Sequence, residues 1–167
     1  LTSKERTTKT IGAGDVYRLP TDLEWSRAAG LPPNGAAPRF LWGGTLPPPA
    51  DAGNFPGDEM RGGDGWHESV PLLAGHRDGF KFTAPVGSFR PNAFGIHDLA
   101  GNVWEWLQNS DPVAPDQRIV RGGGWFDGAA RLQEAEYRGR YAAATRGYVF
   151  GFRPVLSRGN TGPTGAR

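Results

Sequence analysis

The chain has no cysteine, and this absence removes several chemistries at once. Without a thiol it cannot form disulfides, bind metals through thiolates or use a cysteine nucleophile. It also lacks any apolar run near the roughly 20 residues that a membrane-spanning helix needs. A large excess of one charge is missing too, since the net charge is only +2. The basic residues are scattered, which argues against nucleic acid as the main partner, because phosphate binding needs a concentrated positive face.

Glycine and proline, by contrast, are abundant: 26 and 15 of the 167 residues, beside six Trp and nine Phe. High glycine and proline content can indicate disorder, but disordered chains are poor in aromatic residues. We therefore predict one domain with little regular structure and long ordered loops. Such loops leave backbone carbonyls outside hydrogen-bonded ladders, and bound cations are one way to satisfy them.

The clearest local signal is the start of a helix. Thr21 and Glu24 have the spacing of a capping box, in which each side chain binds a free amide of the first turn. Trp25 then falls on the buried face, and Gly30 ends the helix. Short strands are predicted at residues 16–19, 83–89, 119–121 and 150–156, with an ordered loop excursion at 31–77. The domain is predicted to span residues 1–156, and residues 157–167 to form a flexible tail.

Several segments, in this order along the chain, carry a family resemblance. They read YRLPTDLEW at 17–25, APVGSF at 84–89 running into PNAFGIHD at 91–98, LAGNVWEW at 99–106, and RGGGW at 121–125 followed by GFR at 151–153. Together they resemble the formylglycine-generating, or sulfatase-modifying, family. The resemblance implies an α+β fold of the C-type-lectin-like type, with short twisted strands, about two helices and extensive ordered loops. Members usually carry additional N-terminal strands, and residues 1–6 resemble the end of their first helix, so we expect part of the family domain to be absent.

Two carboxylates, Asp98 and Glu105, flank a turn that contains Gly101. Buried beside apolar residues, they would need a counter-charge, which calcium or an arginine such as Arg121 or Arg153 could supply. The resemblance implies structural calcium here. It maps one calcium site to the side chains of Asp98 and Glu105 with the carbonyls of Gly101 and Val103, and a second to the side chains of Asn54 and Asp78 with the carbonyls of Phe55 and Phe80.

The residues that the family needs for oxidation are missing. The resemblance implies a copper-binding cysteine pair, whose positions fall on Asp127 and about Leu132, and copper(I) needs soft ligands. A related iron-dependent activity uses histidines, but only His67, His76 and His97 are present, without close ligand spacing. We expect His67 and His76 on the surface and His97 beside the calcium turn. We therefore expect no catalytic residues, although a metal-dependent oxidase of either type remains an alternative.

The segment 126–150 then becomes a candidate binding face. It interleaves aromatic residues and arginines with small residues, which suits recognition, because rigid rings supply contact area at low entropic cost. The competing interpretation places the rings in the core and the arginines in solvent; we accept it for Trp125 and expect Asp127, Tyr141 and Tyr148 to be exposed. The predicted ligand-binding residues are Phe126, Asp127, Tyr137, Arg140, Tyr141, Arg146 and Tyr148.

More than one partner and role are compatible with this face. A protein ligand is favoured, carbohydrate is possible but not favoured, and the chain could instead be a structural subunit of a larger assembly or an appended sensor domain. The fold also resembles the variable proteins of diversity-generating retroelements, in which case residues 126–150 would be the diversified region. The absence of cysteine leaves the compartment open; an exported or cell-surface location is favoured over the cytoplasm.

Overall fold

The computed structural model describes residues 2–8, 10–34, 36–63 and 67–159. Most of the predicted tail, residues 160–167, and the loop residue Trp66 lie outside the described residues. Strand β6 ends at Ser157, and beyond it the guanidinium of Arg158 and the amide of Gly159 bind the Asp15 carboxylate, both at 2.9 Å. Among the helices described, none is long and apolar enough to cross a membrane.

Regular structure is sparse and falls into short pieces, as the glycine and proline content predicts. The helices are α1 (Thr2–Thr7) and α2 (Asp22–Ala28), with 3₁₀ turns at Asp58–Met60 and Ala130–Gln133. The strands are β1 (Val16–Arg18), β2 (Trp104–Ser110), β3 (Gln117–Arg121), β4 (Gly139–Ala142), β5 (Phe150–Gly151) and β6 (Val155–Ser157).

Helix α2 begins with the predicted capping box. The Glu24 amide donates to Thr21 Oγ1 at 3.2 Å, and the Thr21 amide donates to Glu24 Oε2 at 2.8 Å. Hydrogen bonding from Arg18 is the main reason that the pKa of Glu24 falls to about 2, and the Thr21 amide lowers it further. The helix ends at Ala28, two residues before Gly30, whose φ of 76° is left-handed.

Four strands form the main sheet in the order β4-β3-β2-β5. The three longest pair antiparallel, whereas β5 runs parallel to β2, with Glu105 opposite Gly151. Strands β1 and β6 form a separate antiparallel pair, with Tyr17 opposite Leu156. The parallel β2–β5 pair brings the 99–106 and 151–153 segments side by side, although they lie far apart in sequence.

Helix α2 packs on this sheet through Trp25, which is buried with Leu99, Leu107 and Ile119. The guanidinium of the fully buried Arg121 lies 4.3 Å from the centroid of the Trp25 ring and pairs with Asp22. Here the core therefore contains a charge whose partner comes from the first turn of α2.

The long excursion after α2 is ordered around buried aromatic rings. Phe40 and Phe55 are fully buried, and Trp42 stacks on Phe40 at 4.6 Å and meets Phe55 edge-on at 4.8 Å. Phe55, Leu73 and Ala100 form a second small core, and Trp42 packs against it. The prediction of an ordered excursion is confirmed for the described part of this segment.

Two of the predicted strands were wrong: one is absent and one is interrupted. Residues 83–89 form no strand, because Pro85 has no amide to donate and Gly87 has a left-handed φ of 82°. The last predicted strand, 150–156, is interrupted at residues 152–154, so that β5 joins the main sheet and β6 joins β1. Pro154 lies at this interruption, where it removes a further donor.

Candidate binding and metal sites

The loop that follows β3 turns sharply on two glycines. Gly122 and Gly123 have φ angles of 97° and 76°, a region that favours glycine. A Cβ on Gly123 would overlap the side-chain amide of Gln133. The turn brings the Trp125 amide to the Asn102 carbonyl at 2.9 Å, which ties the loop to the turn before β2.

Asp127, at the first predicted copper position, is held against the core. Its Oδ2 accepts a hydrogen bond from Trp104 Nε1 at 2.6 Å. Burial raises the pKa of Asp127, and the Trp104 N–H acts in the opposite direction. Asp127 was expected to be exposed, but it is half-buried because its carboxylate lies against Trp104.

Gln133 lies beside the second predicted copper position and also points inward. Its amide nitrogen donates to the Asp127 carbonyl, while its Oε1 is buried with no hydrogen-bond partner among the described residues. Leu132 itself is half-buried and carries no donor atom. Neither side chain is the soft ligand that copper(I) requires.

Four aromatic side chains form an aromatic groove, which we define by Phe82, Trp125, Phe126 and Tyr148. The ring centroids of Phe82, Phe126 and Tyr148 lie 5.4, 5.1 and 5.8 Å from that of Trp125. The groove has a volume of about 330 Å³, and Thr83 completes its lining. Trp125 is 5% exposed, whereas Phe82 and Tyr148 are 52% and 70% exposed. The predictions that Trp125 is buried and Tyr148 exposed are confirmed.

A second concavity, the arginine cleft, is lined in part by residues 143–147. Its volume is about 740 Å³, and its lining includes Arg18, Arg118, Arg146, Trp106 and Phe150. Of the predicted binding residues only Arg146 lines it. Sequence analysis missed Arg18 and Arg118, which β1 and β3 bring to the cleft from distant parts of the chain.

The remaining predicted binding residues are dispersed. Tyr137 packs on Trp104 at 5.7 Å, and Tyr141 packs edge-on to Phe150 at 4.7 Å. Tyr141 is 36% exposed, as expected, and burial followed by the charge of Asp127 raises its pKa. Arg140 pairs with the buried Asp111 in the β2–β3 connection, and this hydrogen bond is the main cause of the lowered pKa of Asp111. The side chain of Arg140 is thus already engaged in the fold.

The fold brings together residues of the predicted calcium site at Asn54 and Asp78. The Phe55 and Phe80 amides donate to the two carboxylate oxygens of Asp78 at 2.7 and 2.9 Å. Asn54 is fully buried, and its Oδ1 has no hydrogen-bond partner among the described residues. The neighbouring His76 is buried rather than on the surface as predicted, because its ring nitrogens bind the Pro48 carbonyl and Asp78 at 3.1 Å each.

The turn of the predicted calcium site at Asp98 and Glu105 has a tight backbone, as the presence of Gly101 suggests. Asp98, Gly101 and Asn102 all have left-handed φ angles, of 58°, 74° and 62°. Asp98 Oδ2 accepts from the Gly87 amide, but its Oδ1 is buried without a hydrogen-bond partner among the described residues. The four predicted ligands at this turn are Asp98, Gly101, Val103 and Glu105.

Glu105 has the arginine partner that was the alternative to calcium. Arg153 donates to Glu105 Oε1 at 2.6 Å through Nη2, and Trp25 Nε1 donates to Oε2 at 2.8 Å. The same Nη2 also reaches the His97 and Asp98 carbonyls, at 2.9 and 3.3 Å. The ion pair is observed, and calcium at this turn stays a prediction.

Asn102 joins the two turns. Its backbone N–H donates to the Asn54 carbonyl at 2.8 Å. Its side-chain oxygen accepts from Asn54 Nδ2 at 3.2 Å and from the Ala84 backbone N–H at 2.9 Å. No cluster of three or more His, Asp or Glu side chains suited to a metal occurs in the described part of the chain. A cation at either turn would therefore depend on amide and carbonyl oxygens as well as carboxylates, which is the ligand set of calcium.

Comparison with known proteins identifies close relatives. The chain is 35% identical over 162 residues to a formylglycine-generating enzyme of Streptomyces coelicolor, covering 87% of this chain and 45% of that enzyme. It is 36% identical over 114 residues to the inactive C-alpha-formylglycine-generating enzyme 2 of Mus musculus, covering 67% of this chain and 32% of that protein. The chain thus spans less than half the length of these relatives.

A solved structure confirms the fold. Treponema denticola variable protein 1 superposes with a TM-score of 0.61 at 24% identity, covering 85% of this chain and 48% of that one. The fold is α+β and C-type-lectin-like, as predicted. A family model, the sulfatase-modifying factor enzyme 1-like domain, matches residues 2–158. With its YRLPTDLEW, GNVWEW and GFR segments placed side by side by the fold, the chain belongs to the formylglycine-generating, or sulfatase-modifying factor, family.

Proposed function

We propose that this chain is a non-catalytic binding module that holds a protein partner at the 126–150 face, centred on the aromatic groove. The observation that carries the proposal is the exposure of two large rings, Tyr148 at 70% and Phe82 at 52%, around a buried Trp125. Exposed aromatic rings in a concave site are typical anchors of protein interfaces, because they bury much area at small entropic cost.

The side chains at the family's copper positions support the non-catalytic part of the proposal. The cysteine pair is replaced by Asp127 and about Leu132, and no other thiol exists in the chain. A mouse relative that is 36% identical over 114 residues is itself named inactive, so loss of this chemistry has a precedent in the family. Turnover of a cysteine-containing peptide by the purified chain supplied with copper would overturn this part.

The binding part is tested with peptides selected on the immobilised protein from a random display library. We expect the selected peptides to bind Tyr148→Ala at least about tenfold more weakly than wild type, the usual loss at an aromatic hot spot. Phe94→Ala serves as the matched control, because Phe94 is an aromatic residue of similar exposure, 66%, in the turn beside the end of α2. Affinities are compared by fluorescence anisotropy with purified variants of equal melting temperature.

Two outcomes would contradict the aromatic groove as the binding site. In the first, Tyr148→Ala leaves the affinity of every selected peptide unchanged. In the second, Phe94→Ala weakens binding as much as Tyr148→Ala does. Self-association that Tyr148→Ala abolishes would instead assign the groove to an assembly of copies, the alternative role as a structural subunit.

Structural calcium at the two turns completes the proposal. Each turn supplies a buried side-chain oxygen without a hydrogen-bond partner among the described residues, Asn54 Oδ1 at one and Asp98 Oδ1 at the other. Leaving such an atom buried and unpaired costs about 1–3 kcal/mol, which a bound cation would offset. Bound calcium would supply positive charge that holds these loops together. The ligands would be the side chains of Asn54 and Asp78 with the carbonyls of Phe55 and Phe80, and the side chains of Asp98 and Glu105 with the carbonyls of Gly101 and Val103.

A further inference from the structure

The arginine cleft is built by elements that meet only in the folded chain. Strand β1 contributes Arg18, β2 contributes Trp106 and Gln108, and β3 contributes Arg118. The 143–147 loop, which carries Arg146, and β5 complete the lining. Because β5 is the edge strand of the main sheet, the cleft runs along a sheet edge.

The charge of the cleft is not balanced by the fold. Arg18 is neutralised by the Glu24 carboxylate at 2.7 Å, but Arg118 donates only to neutral acceptors: Ser110 Oγ and the carbonyls of Pro115 and Gln117. Arg146 is exposed, and no ion pair of Arg118 or Arg146 is found among the described residues. The lining contains no Asp or Glu within the described ranges. Two positive charges therefore face a concave surface without internal partners.

The floor of the cleft is aromatic. Trp106 and Phe150 pack at 5.2 Å with their ring planes tilted by 32°, and Phe152 beside them is 69% exposed. A ligand that fits this surface must combine anionic groups with an apolar part. Concave sites of this size, with an apolar floor and a few polar groups, are typical of ligand sites.

We propose that the arginine cleft binds an extended acidic peptide segment of a protein partner. Its carboxylates pair with Arg118 and Arg146, and an adjacent apolar side chain rests on the aromatic floor. Strand β5 has only two residues and its Phe150 amide already donates to the Gly147 carbonyl at 3.3 Å, so the side chains of the cleft carry the recognition. This inference rests on the proposed function, because Arg146 belongs to the 126–150 face, and it adds the chemistry of the partner.

The test uses a fluorescein-labelled octapeptide that alternates glutamate with phenylalanine, and a matched peptide with glutamine in place of glutamate. We expect only the glutamate peptide to bind, and to bind more weakly as salt rises from 0.1 to 1 M. Arg146→Gln and Arg118→Gln should each weaken binding about threefold or more, the effect of removing one partly exposed ion pair. Arg77→Gln, which removes an exposed positive charge outside the cleft, should leave binding unchanged.

Three results would overturn the inference: equal binding of the two peptides, no binding of the glutamate peptide, or an equal loss in Arg77→Gln, which would show non-specific attraction by net charge. Arg146→Gln keeps the test valid if Arg118→Gln lowers stability, because Arg146 is exposed. Tyr148→Ala should leave the glutamate peptide unaffected. A failure of the proposal for the arginine cleft can thereby be told apart from a failure of the proposal for the aromatic groove.

Discussion

Asp127 lies at the first position where the family resemblance implies a copper ligand, and Gln133 lies beside the second. Both side chains point into the protein. The Asp127 carboxylate is held by Trp104 Nε1, and the Gln133 amide binds the Asp127 carbonyl. The two residues thus link the loop after β3 to β2 and to the second 3₁₀ turn. At the scale of single residues, both side chains take part in the packing of the loop.

Burial of Asp127 predicts a specific pH dependence. Because its pKa is raised in the folded protein, the native state binds the proton more tightly than the unfolded chain does. Stability from this group is therefore largest at low pH and is lost as pH rises from the ordinary value of 3.8 through the raised pKa. Asp127→Asn keeps an oxygen for Trp104 and removes the buried charge. We expect the variant to be more stable than wild type at pH 7, with the difference shrinking toward pH 4.

The measurement is urea unfolding followed by tryptophan fluorescence at pH 4, 5.5 and 7. Asp116→Asn, at an exposed position, is the control and should change little at any pH. A lower stability of Asp127→Asn at pH 7 would show that the charged form is favoured by the fold.

At the scale of elements, the short helix α2 contributes both an ion-pair partner and a core residue. Its first turn supplies Asp22, which binds the buried Arg121 and, at 2.8 Å, Arg138, and its middle supplies Trp25 to the core. A helix of 7 residues is too short to be stable by itself, so its start depends on the capping box and its packing. The capping box therefore fixes the position of residues that the sheet needs.

Loss of the cap should be measurable at neutral pH. Thr21→Ala removes the oxygen that accepts the Glu24 amide, and such a loss costs about 1 kcal/mol of stability. Thr45→Ala, in an irregular exposed loop, should cost much less. Urea unfolding at pH 7 compares the two variants, and an equal effect would deny the cap any special role.

The same turn predicts an acid-sensitive contribution. Since the pKa of Glu24 is lowered to about 2, its stabilising effect is complete above the ordinary value of 4.5 and is lost as pH falls toward 2. Glu24→Gln should therefore lower stability at pH 7 and flatten the decline between pH 4.5 and 2. Unfolding by urea across that range gives the comparison, and an unchanged slope would contradict the prediction.

At the scale of the whole molecule, long irregular segments are held by side chains rather than by ladders. Asn102 ties the Asn54 and Ala84 segments to the turn before β2, and Arg153 ties the Glu105 carboxylate to the carbonyls of the 97–98 segment. At the turns where calcium is proposed, the buried side-chain oxygens Asn54 Oδ1 and Asp98 Oδ1 have no hydrogen-bond partner among the described residues.

Calcium removal should therefore lower the melting temperature of the whole domain. We expect EGTA to lower the Tm of wild type, and Asn54→Ala and Glu105→Ala to lower it in calcium, with each mutational difference shrinking in EGTA. Elemental analysis of the purified protein should find about two calcium ions per chain. An unchanged Tm for Asn54→Ala and Glu105→Ala in calcium, or no bound calcium, would overturn the proposal.

The sequence by itself determined the features that depend on neighbouring residues. Thr21 and Glu24 predict their own hydrogen bonds because a capping box is local, and the absence of cysteine excludes thiolate chemistry whatever the fold. The motif segments also predicted the family and the fold class. Signals within the chain therefore sufficed for α2, for β1 and β3 and for the expectation of ordered loops, but not for β2 and β4.

Only the tertiary structure decided which distant residues meet. Phe82 joins Tyr148 around Trp125, and Arg18 joins Arg146 across one cleft, because strands from opposite parts of the chain pair in one fold. His76 is buried because the excursion folds over it, which no periodicity in a loop of glycine and proline reveals. Long-range packing carries no local pattern, and the sites follow from that packing.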